Sequence, residues 1–474
     1  MIDTLLLFGS TGDLASRLLF PALASLHAAG QLPSGFRLVG TGRQQWDDDR
    51  FREHIASKLA HHASHLPRES HEVLIGATSY CAADTSDPHE VANLVALATN
   101  EGSDPVAAYL ALPQGLFAST ISAIHKAGLP PGSRIVVEKP FGEDLEGAQE
   151  LNGLLESVLQ SSNNTSAYRV DHVLGMAPLQ NLIGLRFANP WVDAIWNSEF
   201  IEQIDVLWEE TLALEGRATF YDKAGALKDV LQNHMIQVLC YAGMDRPASL
   251  AANDVQDKKV ALLNAVRLFT ADDVITHTQR GRYTAGIQAN EDGSPGNIVP
   301  DYVDEKGVDA ARNTETFAEV VLHIDNARWQ GTKFVIRTGK SLRQRRKEIV
   351  LHFRQHAQAP HFFGDLATTQ PAWRIGIDGP MDMTLGVNGT PAETLNELVP
   401  FALNSPSLGS ELPPYAWVLA DILSGDSARS IRGDEAEAAW RIVMPVLESW
   451  AAGAVPMLHY PAGADGPPRL EIPE

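Results

Sequence analysis

The chain has 474 residues, 44% apolar and 20% charged, with a net charge of −22. This length calls for more than one hydrophobic core, and the acidic balance argues against nucleic acid or an anionic membrane as the main partner, since both need a basic face. Two cysteines, Cys81 and Cys240, exclude a disulfide framework and point to a reducing cytoplasm.

The opening MIDTLLLFGSTG has a short apolar run and no basic flank. It reads as a strand, TLLLF, entering a glycine turn, rather than as a signal peptide. No apolar run reaches transmembrane length. DLASRLLFPALASLHAAG follows, with Leu14, Leu18, Ala22 and Leu26 at helical spacing, Pro21 as a kink and Gly30 as a stop. FRLVGTG, AAYLAL, SRIVVEKP and SAYRV read as further strands, and residues 144–160 as an amphipathic helix. Strands alternating with helices predict a parallel sheet covered on both faces.

Beyond residue 176 the pattern changes. Residues 200–208, 316–325, 333–337 and 348–353 alternate in period two and predict one large antiparallel sheet. Helices are expected at 222–242 and 434–451, and the acidic, glycine-rich stretch 290–307 reads as a loop.

Strand, then Gly9-Ser10-Thr11-Gly12, then helix is the arrangement a dinucleotide requires. Glycines let the backbone approach the pyrophosphate, and the helix start at Asp13 and Leu14 offers free N–H groups. The GxxG spacing is less specific than GxGxxG. The second strand adds to it. NAD-selective folds end this strand in a carboxylate on the ribose 2′-hydroxyl. Here it ends GTGRQQW, with Arg43 and no acid before Asp47, which suits the 2′-phosphate of NADP; the alternative is an ordinary surface arginine.

Leu227, Val230, Leu231, His234 and Val238 share one helical stripe, so His234 lies on an apolar face. A histidine there is commonly a satisfied core residue. Asp229, Gln232 and Asn233 beside it favour a site instead, because a buried neutral imidazole next to a carboxylate is a good base near pH 7. Asp171, in the charged cluster of YRVDHVLGM, is the candidate carboxylate. His61 and His65 have metal-ligand spacing but sit in polar sequence and read as a solvated face. Of the basic run Arg343–Lys347, Arg345 alone is taken as a candidate.

FGSTGDLASRLLFPAL, EKPFG, RVDHVLG, GRATFYDKAGALKDVLQNH, RWQGTKFVIRTGK and GDEAEAAWRIVMPVL, in this order, resemble glucose-6-phosphate dehydrogenase over nearly the whole chain. The resemblance implies an α/β Rossmann-like NADP-binding domain at 1–175. A larger β+α domain with a mostly antiparallel sheet, for substrate binding and dimerisation, would follow at 176–474. It implies oxidation of a hexose 6-phosphate at C1 with hydride passing to NADP, or to NAD as the second nucleotide, no metal, and a homodimer or homotetramer. His234 would be the base and Asp171 would orient it. Lys139 would bridge cofactor and sugar, with Pro140 cis. His172, Glu210, Asp229, Lys340 and Arg345 would contact the substrate. Gly9, Ser10, Thr11, Gly12, Asp13, Leu14 and Arg43 would hold the cofactor.

The family motif RIDHYLGKE is RVDHVLGMA here, so Val173 and Met176 replace a tyrosine and a lysine that hold the substrate phosphate, and Ala177 replaces the glutamate. Ser16 replaces another lysine near the sugar, and Asp378 falls near a sugar-contacting glutamine. Two enzymatic expectations follow: a glucose-6-phosphate dehydrogenase with a rebuilt phosphate pocket, or a paralogue oxidising an unphosphorylated or modified hexose. A non-catalytic NADP-binding member is a third, disfavoured because Asp171 and His234 are both kept.

Overall fold

The computed structural model describes residues 1–99, 104–161, 165–290, 292–355, 370–379, 381–390, 398–406, 409–410 and 412–472. The chain divides into two compact units, Met1–Gly175 with Pro247–Asp257 and Ser410–Glu437, and Met176–Arg246 with Lys258–Gly409 and Ala438–Glu474. The two later segments of the first unit fall within the region that the sequence reading assigned to the second domain.

The first unit is built on six parallel strands: β1 (Thr4–Phe8), β2 (Arg37–Gly42), β3 (Thr78–Ala82), β4 (Ala107–Leu110), β5 (Arg134–Glu138) and β6 (Ser166–Val170). Their order is β3-β2-β1-β4-β5-β6. All five residues of β1 are buried, as expected of a central strand with both faces covered. Chain order reverses between β1 and β4, the switch point where doubly wound sheets leave a crevice at their carboxyl ends. The strand β3 was not foreseen: TSYCA is a short edge strand with little apolar signal. Each fully buried Leu or Phe of this core, such as Leu5, Leu7, Leu23 and Phe51, contributes roughly 1.5–3 kcal/mol. Helix Pro414–Ser424 adds Tyr415, Leu419 and Ile422 to the same core.

The predicted kink at Pro21 takes a specific form. Residues Ala15–Leu19 form a π-helical turn, with Phe20 N–H donating to Ala15 O, before the α-helix Phe20–Ala28. Proline has no N–H to donate and would crowd the preceding turn; the wider turn absorbs this.

The second unit holds β7 (Ile201–Glu209), β8 (Thr278–Thr284), β9 (Gly286–Ala289), β10 (Pro295–Val299), β11 (Phe317–His323), β12 (Lys333–Gly339), β13 (Arg346–Phe353), β14 (Ala372–Gly376), β15 (Met383–Gly389), β16 (Val399–Asn404) and β17 (Met457–Pro461). Among the described residues, nine of these form one sheet in the order β16-β15-β14-β13-β7-β12-β11-β8-β17. Its pairs are antiparallel except β7–β12 and β8–β17. The stretch 290–307 is not only a loop: β10 pairs with β9 as a hairpin.

The single helix expected at 222–242 is three segments: Ala218–Ala226, a π-helical Leu227–Met235, and Ile236–Gly243. Gly225 breaks the first at φ 71°, a left-handed conformation that disfavours any side chain. A Cβ there would lie 2.4 Å from Glu315 Oε1. That carboxylate accepts from Leu227 N–H at 3.0 Å, supplying a partner to one of the donors a helix start leaves open.

Candidate active site

The candidate residues fall in both units, and each unit is described in turn. In the first, Gly9 closes β1 at φ 77°, and a Cβ on it would stand 2.3 Å from Ala111 O. Only glycine permits this approach of turn to strand end. Gly12 N–H donates to Gly9 O at 2.9 Å, and Ser10 is buried with its hydroxyl on Thr41 O. Thr11 Oγ1 donates to Gln44 Oε1 at 2.8 Å, tying the turn to the residues after β2. Asp13 is exposed and Leu14 half-buried where the helix begins. Arg43 stands exposed immediately beyond β2, the neighbour of β1. Glycine turn, open helix start and exposed cation fit a phosphate-rich dinucleotide.

At the end of β5, Glu138 is buried and accepts a hydrogen bond from the Tyr109 hydroxyl. Burial pushes its carboxyl up to about 7; the bond from Tyr109 and the charge of Lys139 pull it down, and the charge of Asp171 adds to the rise. Lys139 is half-buried, and its peptide bond to Pro140 is cis. Asp171 is wholly buried, and its Oδ1 accepts from Val173 N–H at 3.1 Å, which starts the short 3₁₀ turn His172–Gly175. His172 stacks on Tyr415 with centroids 5.5 Å apart and rings 17° from parallel. Its Nδ1 lies 4.0 Å from Asp171. Val173 is buried, so the place of the family tyrosine is core here. Ser16 is buried against His54 Nε2 at 3.2 Å.

In the second unit, His234 is 5% exposed and stacks on Trp208, with centroids 5.4 Å apart and rings 18° from parallel. Trp208 Nε1 donates to Glu210 at 3.3 Å, and Lys340 holds the same carboxylate at 2.5 Å. Burial would raise the Glu210 carboxyl, but the charges of Lys340 and Lys347 and the bonds from Lys340 and Trp208 leave it below its usual range. Arg345 and Lys347 share Asp378, Lys347 at 3.7 Å. Lys347 Nζ also stands 4.1 Å from the Trp208 ring centroid. The second unit therefore brings together His234, Glu210, Lys340 and Arg345, joined by Trp208, Lys347 and Asp378. Asp229 is half-buried on the His234 segment.

The family model described as glucose-6-phosphate dehydrogenase, NAD binding domain, matches residues 6–181, and the model for the C-terminal domain matches 183–472. The chain belongs to the glucose-6-phosphate dehydrogenase family. It is 34% identical to a glucose-6-phosphate 1-dehydrogenase of Zymomonas mobilis, covering 98% of this chain and 96% of that one. It is 35% identical to one of Gluconobacter oxydans, covering 97% and 94%. A crystal structure of the Mycobacterium avium glucose-6-phosphate 1-dehydrogenase superposes with a TM-score of 0.84 at 30% identity, covering 98% and 95%. A glucose-6-phosphate dehydrogenase in complex with glucose 6-phosphate gives 0.85 at 28% identity, covering 98% and 96%. The family carries a nicotinamide-nucleotide domain, and this chain has it.

Two members of the cluster escaped the sequence reading. Lys347 lies in a basic run that reads as a solvated turn, and nothing local in the sequence marks Trp208. The signal for Lys347 is a pairing: it lies directly opposite Trp208 across β13 and β7. Period-two alternation assigns faces within one strand, but the partner across a sheet is set by register, which a single strand does not encode. Among the described residues no helix is long and apolar enough to cross a membrane.

Proposed function

We propose that this family member oxidises the C1 hydroxyl of a glucose 6-phosphate-type hexose to the lactone, with NADP as the preferred nucleotide and NAD as the weaker one. The observation that carries this reading is His234: a buried imidazole held flat on an indole that also donates to the carboxylate of the Lys340–Glu210 pair and lies against the Lys347 ammonium, polar groups that an apolar core disfavours. His234 takes the proton from the C1 hydroxyl as the C1 hydride departs. Trp208 fixes the imidazole plane, so less orientation is lost on reaching the transition state. Asp171, fully buried, orients the base and favours its protonated form. Glu210, Asp229, Lys340, Arg345 and His172 hold the sugar and its phosphate, and Lys139 serves sugar and cofactor together.

When bound, NADP supplies the nicotinamide that accepts the hydride. Gly9, Ser10, Thr11 and Gly12, with Asp13 and Leu14, would hold its pyrophosphate, and Arg43 its 2′-phosphate. The protein works in the cytoplasm as a homodimer or homotetramer and uses no metal. The test is absorbance at 340 nm with NADP and a panel of hexoses with and without a 6-phosphate. Glucose 6-phosphate is expected to be the best substrate. Removing the general base in His234→Ala is expected to lower turnover by about 10²–10⁴-fold while NADP binding persists. Oxidation of no hexose, or near-normal turnover in the variant, refutes the reading; preference for an unphosphorylated hexose would favour the paralogue instead.

A further inference from the structure

Position 176, a phosphate-holding lysine in the family motif, is methionine here. The second unit supplies a different cation. Lys347 is paired in register with Trp208, so both side chains share one face of the sheet. Its ammonium stands 4.1 Å from the indole centroid, and the same indole stacks on His234 at 5.4 Å. Adding these two separations places Lys347 within about 9.5 Å of the His234 ring. This upper limit is on the scale of a hexose phosphate's length, with the Trp208 indole lying against both groups.

The charges around it hold the ammonium only loosely. Lys340, Arg345 and Lys347 face Glu210 and Asp378, three cations against two carboxylates. Lys340 is committed to Glu210 at 2.5 Å, and Arg345 is hydrogen-bonded to Asp378. Asp378 stands 3.7 Å from Lys347, beyond hydrogen-bond distance. The adjacent Arg346 is engaged by Glu209, the strand neighbour of Trp208 that points to the opposite face. Only 12% of the Lys347 side chain is exposed, so an anion meeting it is shielded from water. Burial lowers its pKa; Asp378 and Glu210 oppose this, while Arg345 and Lys340 add to it. An incoming dianion would restore the charge that burial disfavours.

We propose that Lys347 is the residue by which this enzyme selects phosphorylated over unphosphorylated hexose, in the role the family motif gives to position 176. This rests on the C1-oxidation reading above. The experiment compares Lys347→Met and Lys347→Arg with the unaltered enzyme, measuring kcat/KM for glucose 6-phosphate and for glucose, and glucose 6-phosphate binding by calorimetry. Lys347→Met is expected to lower kcat/KM for glucose 6-phosphate about tenfold to a hundredfold, the worth of one charge-assisted contact, and to lower that for glucose much less. Its glucose 6-phosphate binding should weaken by a similar factor, and Lys347→Arg should keep the preference. An equal fall on both sugars, an unchanged preference in Lys347→Met, or loss of preference in Lys347→Arg overturns the assignment. If the unaltered enzyme oxidises no hexose, the C1 reading fails; calorimetry then decides Lys347 alone, and equal affinity or no binding in both proteins overturns it.

Discussion

Glu138 makes folding stability depend on pH in an uncommon direction. It is the last residue of β5, buried, with the Tyr109 hydroxyl on one oxygen and the charge of Asp171 nearby. Burial is the main cause of its rise from 4.5 to about 7. In the unfolded chain it titrates near 4.5, so between these values the folded state holds a proton that the unfolded state has released. Stability from this group is therefore full below about pH 4.5 and lost as pH rises through about 7. At roughly 1.4 kcal/mol per unit the loss is about 3 kcal/mol. Glu138→Gln keeps an acceptor for Tyr109 and removes the titration. Urea unfolding of both proteins from pH 5 to 8.5 is the assay. The variant is expected to gain about 3 kcal/mol on the unaltered protein across this range. A difference constant with pH would refute the argument, because the carboxylate would then be charged in both states throughout.

Two further perturbations test the cofactor turn and the segment carrying His234. Arg43→Ala should raise the KM for NADP about tenfold to a hundredfold, the value of one charge-assisted phosphate contact, and change that for NAD little; equal effects would leave Arg43 an ordinary surface residue. Gly225→Ala must adopt φ 71° and displace Glu315 from Leu227 N–H. The left-handed backbone costs about 1–2 kcal/mol before the displaced bond is counted, so a total of roughly 2–4 kcal/mol is expected in urea unfolding, with turnover reduced as well. Stability like that of the unaltered protein would show that the break before Leu227 is not required.

How much of this was legible in the sequence follows from how local each signal is. TLLLF and the glycine turn were readable because a buried parallel strand is a continuous apolar run and Gly9 fills a position that only glycine fits. The strand Thr78–Ala82 was missed because an edge strand need bury little, and TSYCA carries almost no apolar signal. The helix with His234 was found by its stripe, but the break before Leu227 depends on Glu315, distant in sequence and aimed at Gly225. Helix Pro414–Ser424 is not among the helices read from the sequence, and its packing on the core of the first unit comes from residues distant in the chain.

The substrate end shows the same limit in its most consequential form. Val173 and Met176 are visible as departures because they interrupt a contiguous motif, so the sequence registers the loss of a phenol and a cation there. A replacement cation can come from any strand that reaches the pocket, and nothing in RQRRK distinguishes Lys347 from its neighbours. The distinction comes from pairing: a shift of one residue in the β13–β7 register would place Arg346 or Glu348 opposite Trp208 and turn Lys347 to the other face. Exchanging Lys347 alone therefore tests the compensation without disturbing the motif from which the charge was lost.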